Sequence, residues 1–241
     1  MRKERSYQSA FTLIEMILTI VVGGILVLGI AGFVELGTKG YADSVDRYRL
    51  QTQAKFVIEK MSREVRHAVP NLFENTGDAS QSCVRFYPID YSGFYAISGA
   101  DINFIVGTSG ATSTNIIDAG RFLIINPTNI VDTANSIGLE SSIVSISGAT
   151  YTISGAASSL ASTSVANRHY IYSNDVEYCV IPSISRITRN DVIVADSVES
   201  GDFRYIEANM QRGGLVNMEL LFSQNGEETS YQQDVQVLNV P

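Results

Sequence analysis

The feature that most constrains the fold is an apolar run near the N-terminus, Phe11–Val34, whose single charged residue is Glu15. As an α-helix this run of 24 residues would be about 36 Å long, which is enough to cross a bilayer. The preceding segment 1–10 is short and carries more basic than acidic residues. Because positive charges stay on the cytoplasmic side, the sequence predicts one membrane crossing with the rest of the chain outside the inner membrane.

Three interpretations of this run are open from its residues. A cleaved signal peptide has an apolar core of about 7–15 residues, and this core is longer. A plain signal anchor fits the length but gives no reason for Glu15, because an acid near the centre of a membrane segment costs about 2.5–3.5 kcal/mol. The third is an apolar helix in which Glu15 has a charged partner.

The stretch Ala10-Phe11-Thr12-Leu13-Ile14-Glu15 resembles the processing site of type IV pilins and type II secretion pseudopilins. In that family a prepilin peptidase removes a basic leader and N-methylates the new first residue. The resemblance implies a leader over 1–10, cleavage between Ala10 and Phe11, and methylation of Phe11. It also implies that the freed Phe11 amine pairs with Glu15 of a neighbouring subunit, since two charges that are each costly in an apolar core are tolerated as a pair.

This sequence departs from the family pattern at two positions. Ala10 stands where the family usually has Gly before the cut, and Gly32 stands where many major pilins have a helix-bending Pro. Glycine also weakens a helix, so Gly32 is a point of local loosening.

Apolar residues then continue at helical spacing on one face: Tyr41, Val45, Tyr48, Ala54, Ile58, Met61, Val65 and Ala68. Pro70 is predicted to end the helix. We therefore predict one long helix over Phe11–Ala68, with a bend near Gly37 and Gly40. Residues 11–34 form its membrane or filament-core half, and residues 35–69 form an amphipathic half that packs on a globular domain.

Beyond Pro70, short alternating or β-branched segments are separated by Gly, Asn and Ser, which is typical of strands and turns. Asn225-Gly226 is a strong hairpin signal. The sequence thus predicts an α+β fold, with the long helix packed on an antiparallel sheet domain over 70–241. The predicted strands are Cys83–Tyr87, Ile102–Val106, Arg121–Ile125, Ser142–Ser147, Tyr151–Ser154, His169–Tyr172, Val176–Ile181, Ile184–Thr188, Val192–Val194, Gly214–Phe222 and Tyr231–Val240.

The two cysteines, Cys83 and Cys179, belong to no metal-binding motif. They are predicted to be free buried thiols in a reducing compartment and a disulfide in an oxidising one. The periplasmic location that the pilin resemblance implies favours the disulfide, with two unpaired thiols as the alternative.

No motif of a known catalytic site is found, so we predict that the protein is not an enzyme and needs no cofactor or metal. His67 and His169 are expected to be structural or exposed. Asp191, Asp196 and Asp202 are considered as calcium ligands, but a solvated acidic face is the favoured interpretation. The net charge of −8 argues against nucleic-acid binding.

Later segments narrow the resemblance to the large minor pilins, namely the W-type pilins, the J-type pseudopilins and the minor pilins of MSHA pili. The resembling segments are 56–66, 168–172, 176–179 and 235–241. The resemblance implies a minor pilin of an MSHA-type pilus that primes assembly near the tip. Its partners would be prepilin peptidase, other pilins and the inner-membrane assembly platform. The alternatives are a J-type pseudopilin of type II secretion and a membrane-anchored adhesin.

Overall fold

The computed structural model describes residues 11–107, 117, 120–129, 135–140, 144–209 and 212–237. The predicted leader 1–10, including Ala10, and the predicted strand ends 142–143 and 238–240 lie outside these residues. By its contacts the chain divides into two units, one ending at Tyr48 and one beginning at Arg49.

Helix α1 covers Leu13–Arg66 and is unbroken through Gly32, Gly37 and Gly40. At 1.5 Å per residue it is about 81 Å long. It ends two residues earlier than predicted, because the chain already pairs with a neighbouring strand there. The Ile89 N–H donates to the carbonyl of His67 at 2.9 Å, and Ala68 lies opposite Pro88. The chain therefore becomes extended from Ala68 onward.

In the second unit, the buried face of α1 consists of Leu50, Ala54, Val57, Met61 and Val65. The sequence placed Ala54, Met61 and Val65 on this face correctly, and it missed Leu50 and Val57. The prediction was wrong for Tyr41, Val45 and Tyr48, which are exposed. Apolar periodicity alone locates the buried face of a helix only to within about one residue. The contacts with the core determine which side chains are buried.

Within the described residues, fifteen strands follow the helix, and every pairing between them is antiparallel. The α+β fold class predicted from the sequence is confirmed. The strands are β1 (Ala68–Asp78), β2 (Gln81–Pro88), β3 (Tyr91–Ser98), β4 (Asp101–Val106), β5 (Arg121–Ile125), β6 (Ser136–Leu139), β7 (Val144–Ser147), β8 (Thr150–Ile153), β9 (Arg168–Tyr172), β10 (Val176–Ile181), β11 (Arg186–Arg189), β12 (Val192–Asp196), β13 (Val198–Ile206), β14 (Leu215–Gln224) and β15 (Glu227–Gln236).

These strands form three sheets with the orders β1-β2-β10-β11-β12, β13-β14-β15 and β6-β5-β9-β3-β4-β8-β7. The main core lies where the buried face of α1 packs against the five-stranded and three-stranded sheets. A second core covers one face of the seven-stranded sheet. A small third cluster joins β1 to the other face of that sheet, through Val69 and Leu72 on β1 and Ile124, Tyr170 and Tyr172 on β5 and β9.

Side-chain hydrogen bonds tie the five-stranded sheet to the three-stranded sheet. The side-chain amide of Asn75 donates to the carbonyl of Tyr205 at 2.9 Å, and the Tyr205 N–H donates to Oδ1 of Asn75 at 2.6 Å. The Phe203 N–H donates to the Ser82 hydroxyl at 3.0 Å. A polar side chain thus takes the place of a neighbouring strand where the two sheets meet.

The predicted hairpin at Asn225-Gly226 joins β14 to β15. Both residues have positive φ, 53° and 86° respectively. A two-residue type I′ turn requires this conformation, which explains why the Asn-Gly pair signals it.

Charge is divided unevenly along the chain. Residues 68–241 contain 18 acidic and 7 basic side chains, and all of the basic ones are arginines. The lysines that follow the predicted leader are Lys39, Lys55 and Lys60, and all three lie on α1. Residues 68–241 therefore carry most of the negative charge of the protein.

Candidate functional site

The first turn of α1 is closed by Thr12, the residue that precedes the helix. The backbone N–H of Glu15 donates to the carbonyl of Thr12 at 3.1 Å and lies 3.4 Å from its hydroxyl oxygen. This places Thr12 at the N-cap and Glu15 at the third helical position, the arrangement found in a capping box. Glu15 therefore has a local role at the positive end of the helix dipole, in addition to any partner in another subunit.

Sequence reasoning missed this role, although the signal was present. Thr12-Leu13-Ile14-Glu15 matches the pattern of Ser or Thr followed three residues later by Glu or Gln. Glu15 is conspicuous as a charge in an apolar run, whereas its position three residues after the capping Thr12 is less conspicuous.

The side chains of α1 around this turn are exposed within the chain. Phe11 is 74% exposed, and the large apolar side chains from Leu13 to Leu36 are all exposed as well. A surface of this size and uniform apolarity is covered by lipid or by other apolar helices, because water solvates it poorly. Among the described residues, α1 is the one helix long and apolar enough to cross a membrane.

The threonine and serine hydroxyls on the part of α1 that belongs to the first unit bond to backbone carbonyls of the same helix. Thr19 donates to the carbonyl of Met16 at 2.9 Å, Thr38 to that of Val34 at 2.9 Å, and Ser44 to that of Gly40 at 2.8 Å. These bonds lower the cost of placing a hydroxyl in a bilayer or a dry helix bundle. Glu15 is then the one charged group between Phe11 and Val34.

The structure contains the disulfide Cys83–Cys179. The two residues lie directly opposite each other on β2 and β10, with their Cα atoms 4.1 Å apart. Both side chains are buried. The bond therefore joins two neighbouring strands of the five-stranded sheet that are 96 residues apart in the chain.

The remaining candidate residues do not come together as a site. His67 is exposed, and His169 is buried. Asp196 accepts hydrogen bonds from Arg49 and Gln53. Within the part of the chain that the structure describes, no group of three or more His, Cys, Asp or Glu residues is placed to hold a metal ion.

One polar cluster anchors the end of α1 to the five-stranded sheet. The Glu64 carboxylate accepts a hydrogen bond from the Tyr178 hydroxyl at 3.1 Å and another from the Arg189 guanidinium at 3.0 Å. Burial, together with the neighbouring Glu64 carboxylate, raises the pKa of Tyr178 above its ordinary value. The phenol therefore stays protonated and keeps its role as a donor.

Residues 5–31 match the family model described as the prokaryotic N-terminal methylation motif. The matched segment contains the Ala10–Phe11 bond, Thr12 and Glu15. No curated protein and no solved structure matches the chain. The motif supports a type IV pilin-like protein, processed by a prepilin peptidase and carrying a membrane-anchoring helix.

Proposed function

We propose that the protein is a minor pilin of a type IV pilus of the MSHA kind. Prepilin peptidase cuts after Ala10 and methylates Phe11. Before assembly, the mature protein is anchored in the inner membrane with residues 70–241 in the periplasm. It is then inserted into the filament. The observation that carries this proposal is the methylation motif on an exposed apolar run, Phe11–Val34, whose single acid, Glu15, lies in the first turn of α1.

The charge pair supplies the register of assembly. Glu15 is four residues along the helix from Phe11, which corresponds to about 6 Å along the axis. A neighbouring parallel helix shifted by that distance brings its Phe11 amine level with this Glu15. Both groups are costly to bury alone and become tolerable together, so one axial offset is favoured over the others.

The disulfide supports the periplasmic location. Such bonds persist in oxidising compartments and are rare in the cytosol. An orientation with the basic leader inside and residues beyond Val34 outside places Cys83 and Cys179 in the oxidising compartment.

The MSHA assignment and the tip position rest on the sequence resemblance of segments 56–66, 168–172, 176–179 and 235–241 to large minor pilins. We propose that the protein has a structural role rather than a catalytic one, and that it helps to prime filament assembly with other pilins and the assembly platform. A J-type pseudopilin of type II secretion would use the same N-terminal chemistry. An anchored adhesin would not require Glu15.

Processing is tested by intact mass and N-terminal sequencing of the protein expressed with and without prepilin peptidase. A chain beginning at methylated Phe11, seen only when the peptidase is present, is the expected result. A chain that keeps segment 1–10 in both strains would contradict the proposal.

Assembly is tested with Glu15→Gln, because glutamine preserves a capping box but carries no charge. We expect normal membrane insertion and processing, and a loss of about tenfold or more in the amount recovered with sheared filaments, as one lost charge pair of about 1.4 kcal/mol or more implies. Thr12→Ala removes the cap hydroxyl and keeps the charge, and Glu35→Gln removes the next acid of α1. Both controls should be incorporated, and normal incorporation of Glu15→Gln would exclude the charge pair.

A further inference from the structure

The last strand, β15, has an open edge. In the part of the chain that the structure describes, the sheet order β13-β14-β15 gives it a neighbouring strand on one side only. Its ten residues pair with β14 without a register shift, and they include no lysine and no proline. Long open edges are templates for a further strand, so proteins usually interrupt them with lysine, proline or a bulge. β15 lacks these interruptions and is therefore available to an added strand.

The other sheet edges within the described ranges are short or already protected. β6, β7 and β12 have four, four and five residues. β1 contains Pro70 and a register shift. The N–H groups on the edge of β13 donate to the side chains of Ser82 and Asn75. Among the described strands, β15 thus has the one edge that is long, regular and open.

The hairpin that leads into β15 determines which of its backbone groups face this edge. A two-residue turn is flanked by a hydrogen-bonded pair, here Gln224 and Glu227, and such pairs recur at every second residue of an antiparallel ladder. The Val237 N–H, which donates to the carbonyl of Gly214 at 3.0 Å, belongs to the same series. The odd-numbered residues of β15 therefore bond to β14.

The even-numbered residues of β15 point their N–H and C=O groups away from β14. Glu228, Ser230 and Gln232 form the open stretch of the edge. At Asp234 the carbonyl already accepts a hydrogen bond from the Gln233 side chain at 3.3 Å, so the open stretch ends there. Three consecutive donor and acceptor pairs remain, which is enough to align a short extended segment.

A groove lined by α1 and by this part of β15 has a volume of about 590 Å³, and we name it the β15 groove. Ile58 of α1 and Tyr231 of β15 line it and are partly buried against the main core. They provide apolar surface for the side chains of an added strand. In recognition by strand addition, the backbone pairs with the edge and alternate side chains enter such a surface.

The α1 wall of the β15 groove is basic. It carries Lys55, Arg63 and Arg66 against one acid, Glu59, which pairs with Arg63 at 2.8 Å. Residues 68–241 have the opposite balance, with 18 acidic and 7 basic side chains. The groove is thus a positive surface on a negative protein, and charge complementarity favours an acidic partner.

We propose that β15 binds an extended acidic segment of a partner protein as an added strand. The backbone of that segment pairs with Glu228, Ser230 and Gln232, and its acidic side chains face Lys55 and Arg66. A helical segment would leave the edge groups unpaired, and a basic segment would meet like charges. The inference concerns the second unit alone and holds whether or not the chain enters a filament.

The test uses the full chain in a zwitterionic detergent and two fluorescent heptapeptides. One is Glu-Val-Glu-Thr-Glu-Val-Glu, and the other has lysine in place of every glutamate. Fluorescence anisotropy at low salt measures both dissociation constants. We expect the acidic peptide to bind about tenfold or more tightly than the basic one. Equal affinity for the two peptides, or no binding of the acidic peptide, would overturn the proposal.

Backbone pairing is tested with two further acidic peptides, one N-methylated at its odd positions and one at its even positions. An added strand turns only alternate N–H groups toward its neighbour. One of the two peptides should therefore bind about tenfold or more weakly than the unmethylated peptide, and the other should bind equally well. Equal effects of the two methylation patterns would show attraction by charge alone and would exclude strand addition.

Gln232→Pro removes one outward N–H and keeps the ladder with β14, because an edge strand tolerates proline at such a position. It should weaken binding of the acidic peptide about tenfold or more. A dimer of the unaltered chain in sedimentation velocity that Gln232→Pro dissociates would identify a second copy as the occupant and would overturn the proposal.

Lys55→Glu reverses an exposed charge in the β15 groove and should also weaken binding about tenfold or more. Its matched control is Lys39→Glu, since Lys39 is an exposed lysine of the same helix that does not line the groove. The control should leave the affinity unchanged. Unaltered affinity of both Gln232→Pro and Lys55→Glu would exclude the site.

Discussion

His169 is a buried imidazole in an apolar setting. The Phe104 ring meets it edge-on at 5.1 Å, and its Cε1 lies close to Gly93. In the part of the chain that the structure describes, neither ring nitrogen has a hydrogen-bond partner. Burial therefore lowers the pKa of His169 from 6.5 to about 4, because the charged form loses its hydration.

This lowered pKa makes the stability of the sheet domain depend on pH. The unfolded imidazole takes up a proton near pH 6.5, but the folded one does so only near pH 4. Between these values the unfolded state binds more protons, so stability falls as the pH falls. We expect the His169 contribution to lower the free energy of unfolding by about 2 kcal/mol from pH 7 to pH 5.

Urea unfolding followed by near-ultraviolet circular dichroism measures this dependence. His169→Leu should flatten the pH profile by that amount while the contributions of the other titrating groups remain. An unchanged profile in His169→Leu would show that the buried imidazole is not the source.

The end of α1 is held by two kinds of contact. Its apolar face packs into the main core, and Glu64 binds Tyr178 and Arg189 on β10 and β11. A neighbouring acid on the same helix, Glu59, instead pairs with Arg63 in solvent, where both side chains are more than two-thirds exposed, at 74% and 71%. The helix thus carries a partly buried and an exposed version of the same interaction.

Glu64→Gln should lower the free energy of unfolding by about 1–3 kcal/mol, because the Tyr178 and Arg189 donors lose a charged acceptor. Glu59→Gln is the matched control and should change it by less than about 0.5 kcal/mol. Urea unfolding at pH 7 gives both values. Equal effects of the two substitutions would mean that the Glu64 cluster does not anchor the helix.

The disulfide constrains the chain as a whole, because it closes a loop of 96 residues that includes the whole seven-stranded sheet. Reduction should lower the free energy of unfolding by about 2–5 kcal/mol, mainly by releasing the unfolded chain. Urea unfolding with and without reductant measures this, and titration of free thiols confirms reduction. The double variant Cys83→Ala/Cys179→Ala should have the lower free energy of unfolding of the reduced protein, and reductant should not change it. Identical midpoints for the oxidised and reduced protein would contradict this role.

Much of the fold was predictable where the sequence pattern and the structure have the same physical cause, such as burial of an apolar face or the geometry of a turn. The long helix, the Asn225-Gly226 hairpin and strands such as β2 and β10 follow directly from apolar periodicity and turn chemistry. Prediction of the disulfide also required the cellular compartment of the domain, since the spacing of two cysteines does not distinguish a disulfide from free thiols.

The strands that the sequence missed contain residues that usually indicate turns. A Cβ on Gly93 of β3 would meet the carbonyl oxygen of Ile105, and one on Gly201 of β13 would lie 2.7 Å from that of Glu219. Both glycines are required by close approach of the next strand, not by a turn. β1 contains Pro70 and Asn71, and its register shifts between Ala68 and Phe73, so it lacks alternation as well. The missed strand β6 has only four residues and carries Gly138.

One aromatic cluster could not be predicted from the sequence. Tyr87, Phe122 and Tyr172 are on three strands that are distant in sequence, and only the sheet order brings them together. The Thr12 cap, in contrast, could be predicted from four consecutive residues of the sequence.

The placement of lysine has a practical consequence for mapping neighbours in an assembly. Reagents that acylate primary amines will modify α1 at Lys39, Lys55 and Lys60, and they will leave all fifteen strands unmodified. An amine-to-amine cross-link formed by the mature protein therefore reports what lies beside its helix. Carboxylate-directed coupling reaches both parts of the chain, because residues 68–241 contain 18 acidic side chains and α1 carries six more.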